Sequence, residues 1–152
     1  MGNAAGTLGV AVNEQTAVAG GFVSGVIYCQ INSEIDAQYL MVTVSGKEGA
    51  LVVWKETHGT GDNRRTVTKS RRYTRSLLHI DVGLADFSAN GGKLAPGRYE
   101  FPFTLTLPVG LPSSMFCRGF NNSHCSVKYE IAARLGRNHT NNPHYNLISR
   151  DT

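Results

Sequence analysis

Apolar residues recur at every second position in several short stretches of this chain, the period an extended strand needs to bury one face. The clearest case is residues 98–107, where Tyr99, Phe101, Phe103, Leu105 and Leu107 alternate with Glu100, Thr104 and Thr106. This predicts a half-buried β-strand. Pro102 lies within it and cannot donate a ladder hydrogen bond, so the strand is expected at a sheet edge or at a bulge. Pro108 and Pro112 then bracket a turn through Gly110.

Other segments repeat the pattern. Gly20-Gly21 reads as a turn leading into a strand over 22–28, with Gly25 as a bend. Tyr39 to Val44 alternates and reaches Ser45-Gly46, which is expected to end it. Ala50 to Trp54 reads as the next strand, with Trp54 in the core. Leu77 to Val82 and Ser126 to Leu135 supply others, the latter with Val127, Tyr129, Ile131 and Ala133 on one face. No segment shows apolar recurrence at three-and-four spacing over the dozen residues a stable helix needs. Two sheets, each with one apolar face, must bury those faces against each other. The expected fold is therefore all-β, an immunoglobulin-like antiparallel β-sandwich. Residues 10–136 are assigned to the sandwich, 1–9 to a flexible N-terminus and 137–152 to a polar C-terminal tail. The segments 57–66 and 84–97 are read as loops.

A length of 152 residues, with 41% hydrophobic and 17% charged positions, fits one soluble globular domain. No run of eighteen apolar residues exists, and Met1 is not followed by a basic and then an apolar region, so the expected compartment is the cytoplasm. Cys29, Cys117 and Cys125 are an odd set without metal-type clustering, expected as free thiols. Cys117 and Cys125 flank a turn at Asn121-Asn122 and face each other if a hairpin forms there. His58, His79, His124, His139 and His144 are dispersed, and no nucleophile elbow, phosphate-cradling loop or dinucleotide fingerprint is present. No enzyme activity, metal site or cofactor is expected.

Four blocks carry a resemblance. Gly97-Arg98-Tyr99-Glu100-Phe101-Pro102-Phe103, running into Leu107-Pro108 and Leu111-Pro112-Ser113-Ser114, resembles the signature of the arrestin N-terminal domain in the arrestin-domain-containing proteins. Ala19-Gly20-Gly21-Phe22-Val23-Ser24-Gly25-Val26 is similar to an early block of that family, with Ala19 where proline is usual and Phe22 where glutamate is usual. Val44-Ser45-Gly46-Lys47-Glu48 with Val53-Trp54 beyond it is similar to a second. Ser126-Val127-Lys128-Tyr129-Glu130-Ile131-Ala132-Ala133 is similar to a third. All stand in the family's order over roughly 10–136. The resemblance implies one of the two sandwiches arrestins carry, and a non-catalytic protein-binding scaffold or adaptor in membrane cargo trafficking, endocytosis or signalling. The alternative is a structural subunit, like the arrestin-fold component of the retromer coat, docking through an apolar patch.

Charge suggests where binding occurs. Residues 64–75 hold Arg64, Arg65, Lys69, Arg71, Arg72 and Arg75, six of fifteen basic residues, and no acid, in a chain of net charge +4. Clustered guanidinium forks suit phosphate, whether on a phosphorylated protein tail, a phosphoinositide of an anionic membrane or a nucleic acid. The competing reading is a charged edge strand that blocks sheet-to-sheet pairing. Nucleic acid is not expected as a partner, because interleaved aromatic stacking residues are lacking. Gly2 is a candidate myristoylation site, although Gly6 stands where Ser or Thr is usual. With the basic segment it would give the two signals that peripheral attachment to plasma membrane or endosomes requires. Asn142-Pro143-His144-Tyr145 spells an endocytic sorting-type turn, and Asn142, Pro143 and Tyr145 are its candidate residues.

Overall fold

The computed structural model describes residues 5–136. They form nine strands: β1 (Gly6–Val12), β2 (Phe22–Ile31), β3 (Ile35–Asp36), β4 (Tyr39–His58), β5 (Arg65–Asp86), β6 (Lys93–Leu94), β7 (Gly97–Thr106), β8 (Met115–Arg118) and β9 (His124–Gly136). One sheet has the order β1-β2-β7, a small one pairs β3 with β6, and the third has the order β5-β4-β9-β8. The all-β antiparallel sandwich expected from the alternation is the observed architecture. The described residues divide into two compact units, one from 5–44, Ile80–Leu111 and 131–136, the other from Ser45–His79 and Pro112–Glu130.

The first unit holds most of the core. Val23, Ile27, Cys29 and Ile31 on β2 meet the description of one buried face, as do Phe103 and Leu105 on β7 and Leu40, Val42 and Val44 on β4. Ile27, Leu40 and Val42 are fully enclosed, each contributing about 1.5–3 kcal/mol of transfer free energy. Phe101 meets Phe87 edge-to-face at 6.1 Å. The alternation of residues 99–105 is borne out, and β7 is a sheet edge, one of the two places Pro102 allowed. Gly20, at φ +80°, donates its N–H to the Pro108 carbonyl, and Leu107 donates to that of Gly21, so the Gly-Gly turn and the start of the proline-bracketed turn are tied together.

Several boundaries differ from expectation. β1 begins at Gly6, inside the segment read as a flexible terminus, because its backbone pairs with β2 from Gly6↔Ile31 to Val12↔Gly25. Gly25 is no bend: it lies in register opposite Phe103, and a Cβ there would crowd that ring. Ser45-Gly46 does not end a strand either, since β4 runs on to His58. Gly46 is required by a close approach, because a Cβ there would lie 2.5 Å from the Tyr129 ring. The expected loops at 57–66 and 84–97 shrink, as β5 extends from Arg65 to Asp86 and β3 and β6 pair Ile35 with Leu94.

The second unit consists of the remaining lengths of β4, β5 and β9 with β8. Val53 donates its N–H to Ser123 Oγ, at the turn between β8 and β9. Tyr129 donates its hydroxyl to the Pro112 carbonyl at 2.7 Å. Trp54 is only half-buried, not a core residue, and its Nε1 donates to Glu56 Oε1 at 2.8 Å.

Candidate functional site: the basic edge of β5

β5 stands at one edge of its sheet, so one side of its backbone is paired by β4 and the other offers N–H and C=O groups to solvent. Along 65–76 every residue but Val67 is exposed. Alternation puts Lys69, Arg71, Tyr73 and Arg75 on one face and Ser70, Arg72 and Thr74 on the other.

The cations are not equivalent. Lys69 Nζ meets Glu56 Oε2 at 2.6 Å, where His58 Nε2 also approaches at 3.2 Å. The hydrogen bond from Lys69, followed by that from Trp54, holds the Glu56 carboxyl down to about 2, far below the ordinary carboxylate value. Arg75 Nε meets Glu48 Oε1 at 2.6 Å. Arg71 lies 5.4 Å over the Tyr73 ring, which orients its guanidinium without neutralising it. Arg64, Arg65, Arg71 and Arg72 form no ion pair among the described residues. The segment therefore ties β5 to β4 through Lys69 and Arg75, and its other four guanidinium groups form no ion pair among the described residues.

Arg72 and Thr74 also line a groove of about 260 Å³ with Lys47 and Glu48 from β4 and His124, Ser126, Lys128 and Glu130 from β9, so its charged lining is mixed. Lys47 and Lys128 escaped the sequence reading. Alternation on β9 assigns Lys128 to the face opposite Val127, but only the strand order brings it toward Arg72. At the β8–β9 turn, Phe120 is 92% exposed, and Phe116 lies between the His124 ring, at 5.6 Å, and the Arg118 guanidinium, at 5.8 Å. Gly2, Asn142, Pro143 and Tyr145 lie outside the described residues. Among the described residues no group of three or more His, Cys, Asp or Glu side chains is placed to hold a metal ion, and no helix is long and apolar enough to cross a membrane.

The model of the family "Arrestin (or S-antigen), N-terminal domain" matches residues 10–148. The chain belongs to the arrestin N-terminal domain family. A curated relative, "Arrestin domain-containing protein A" of Dictyostelium discoideum, is 30% identical over 110 residues, which are 71% of this chain and 19% of the relative. The chain thus spans about a fifth of that relative's length. Among solved structures, the sporulation control protein Spo0M from Bacillus subtilis superposes with a TM-score of 0.52 at 17% identity, over 88% of this chain and 43% of the other. That likeness concerns the fold alone. The resemblance drawn from the four sequence blocks is the family that the comparison finds.

Proposed function

We propose that this arrestin-family chain is a non-catalytic adaptor that takes an extended, anionic segment of a protein partner along the open edge of β5. Membership of the family supports the adaptor reading. The observation that carries the location is the edge position of β5 combined with four guanidinium groups that form no ion pair among the described residues. An added strand would satisfy the unpaired backbone groups of β5, while Arg64, Arg65, Arg71 and Arg72 would select acidic or phosphorylated side chains. The membrane cargo whose tails present such segments places this adaptor on the cytoplasmic side of plasma membrane or endosomes, in trafficking or signalling.

Fluorescence anisotropy of the full chain with a labelled phosphorylated peptide, its unphosphorylated form and a neutral scramble tests this. Binding should follow peptide charge, weaken steeply from low to high salt and be lost on Arg71→Glu/Arg72→Glu. Binding that ignores salt and charge reversal but disappears with Phe116→Ser/Phe120→Ser would overturn it in favour of a coat-type subunit docking through its apolar turn. Sedimentation with anionic vesicles, comparing myristoylated chain with Gly2→Ala, checks the membrane component separately.

A further inference from the structure

The three thiols occupy two different environments. Cys29 is 2% exposed on β2, and burial pushes its thiol pKa up, so it is a poor nucleophile. Cys117 and Cys125 are both exposed and free, and they stand directly opposite one another in the β8–β9 ladder.

The register fixes their geometry further. Gly119 donates its N–H to the Ser123 carbonyl at 2.8 Å, so that pair is of the hydrogen-bonded type. Pair types alternate along an antiparallel ladder, and two steps on the Cys117–Cys125 pair is of the hydrogen-bonded type again, with Cα atoms about 5.5 Å apart. Disulfides span Cα separations of about 4.4–6.8 Å, which includes this one. Opposed Cβ atoms in a ladder are about 1 Å farther apart than a relaxed disulfide prefers. β8 is a four-residue strand at the sheet edge, whereas the β9 side of the turn is held to β4 through Ser123 and Val53. The closing movement therefore falls to β8.

We infer that Cys117 and Cys125 form a reversible modification site, a cross-strand dithiol that closes to a disulfide on meeting a small-molecule disulfide of the glutathione class. One cysteine thiolate attacks a sulfur of the oxidant, giving a mixed disulfide and releasing the first glutathione thiol. The second cysteine thiolate attacks the protein-side sulfur and expels the second. Two protein thiols lose two electrons and two protons, and one glutathione disulfide becomes two glutathione thiols. The residual strain and the exposure of the site make the bond reducible. Its ring encloses the turn that displays Phe120, where Asn121 and Asn122 adopt φ of +55° and +64°, so oxidation fixes the presentation of that side chain.

The test exposes the full chain to glutathione buffers ranging from reduced to disulfide excess, with alkylation and mass spectrometry of intact chain and peptides. Wild type should lose two alkylatable thiols, yield one peptide linking Cys117 to Cys125, keep Cys29 reduced and revert in reduced glutathione. Cys117→Ser and Cys125→Ser should each trap one glutathione on the remaining exposed cysteine, at least about tenfold more than wild type, because the intramolecular second attack is gone. Wild type that stays reduced in excess glutathione disulfide, carries glutathione on both cysteines or links to a second chain overturns the inference.

Discussion

Leu40, Val42 and Val44 alternate along β4 in the same way as Ala50, Val52 and Trp54, yet the first three are enclosed while Val52 is 45% exposed. The first group belongs to the unit that also contains the β1-β2-β7 sheet, whose apolar face gives such side chains something to bury against. The second belongs to a unit built from one sheet alone. Equal periodicity thus has two outcomes: in the first unit it makes most of the core, and along residues 50–54 of the second it leaves Val52 at the surface. The surface carries ion pairs, a groove of mixed charge and an exposed aromatic turn where the first unit carries aliphatic packing.

The largest effect that separates the two units is truncation. Ile27→Ala should cost about 2–5 kcal/mol of stability in urea unfolding, because a fully enclosed side chain leaves a cavity. Val52→Ala at an exposed position should stay within about 0.5 kcal/mol, and a loss as large as that of Ile27→Ala would erase the distinction. Gly46→Val comes next, at about 1–3 kcal/mol, because its Cβ meets the Tyr129 ring and the second unit has to yield. Arg71→Glu/Arg72→Glu should leave the melting temperature nearly unchanged and lower affinity for an anionic peptide at least tenfold, about 1.4 kcal/mol. A fall in melting temperature matching that of Ile27→Ala would make those arginines structural.

The smallest effect is on pH dependence. Glu56 is held near 2 in the folded chain against an ordinary 4.5, so its contact with Lys69 favours folding fully above about 4.5 and loses that contribution as pH falls toward 2. The stability difference between wild type and Glu56→Gln should shrink over that window. A carboxyl titration of Glu56 by NMR with its midpoint at 4 or above would remove the ion pair from the account of how β5 is held.

The strand over residues 98–107 was legible, because alternation is a local property of the backbone, while Pro102 left an edge and a bulge both open and the sheet order decided for the edge. Trp54 was misread as core: its alternation is sound, but it is only half-buried and its indole N–H donates to Glu56. Gly46 was misread as a terminator, because a glycine that ends a strand and one that admits a neighbouring ring look alike in sequence. The basic segment could be counted in the sequence, but not that Lys69 and Arg75 pair with Glu56 and Glu48, acids that stand on another strand.

Local pattern alone carried several of the strands, most of the faces buried in the first unit, the family and the concentration of cations in 64–75. Each depends on residues near one another in the chain, where period and charge can be counted directly. Tertiary structure decided which cations remain available, which alternating stretch is core, that Lys47 and Lys128 join Arg72, and that Cys117 opposes Cys125. Those depend on strand order and register, which are set by the burial of whole faces and the closure of backbone hydrogen bonds between segments far apart in the chain.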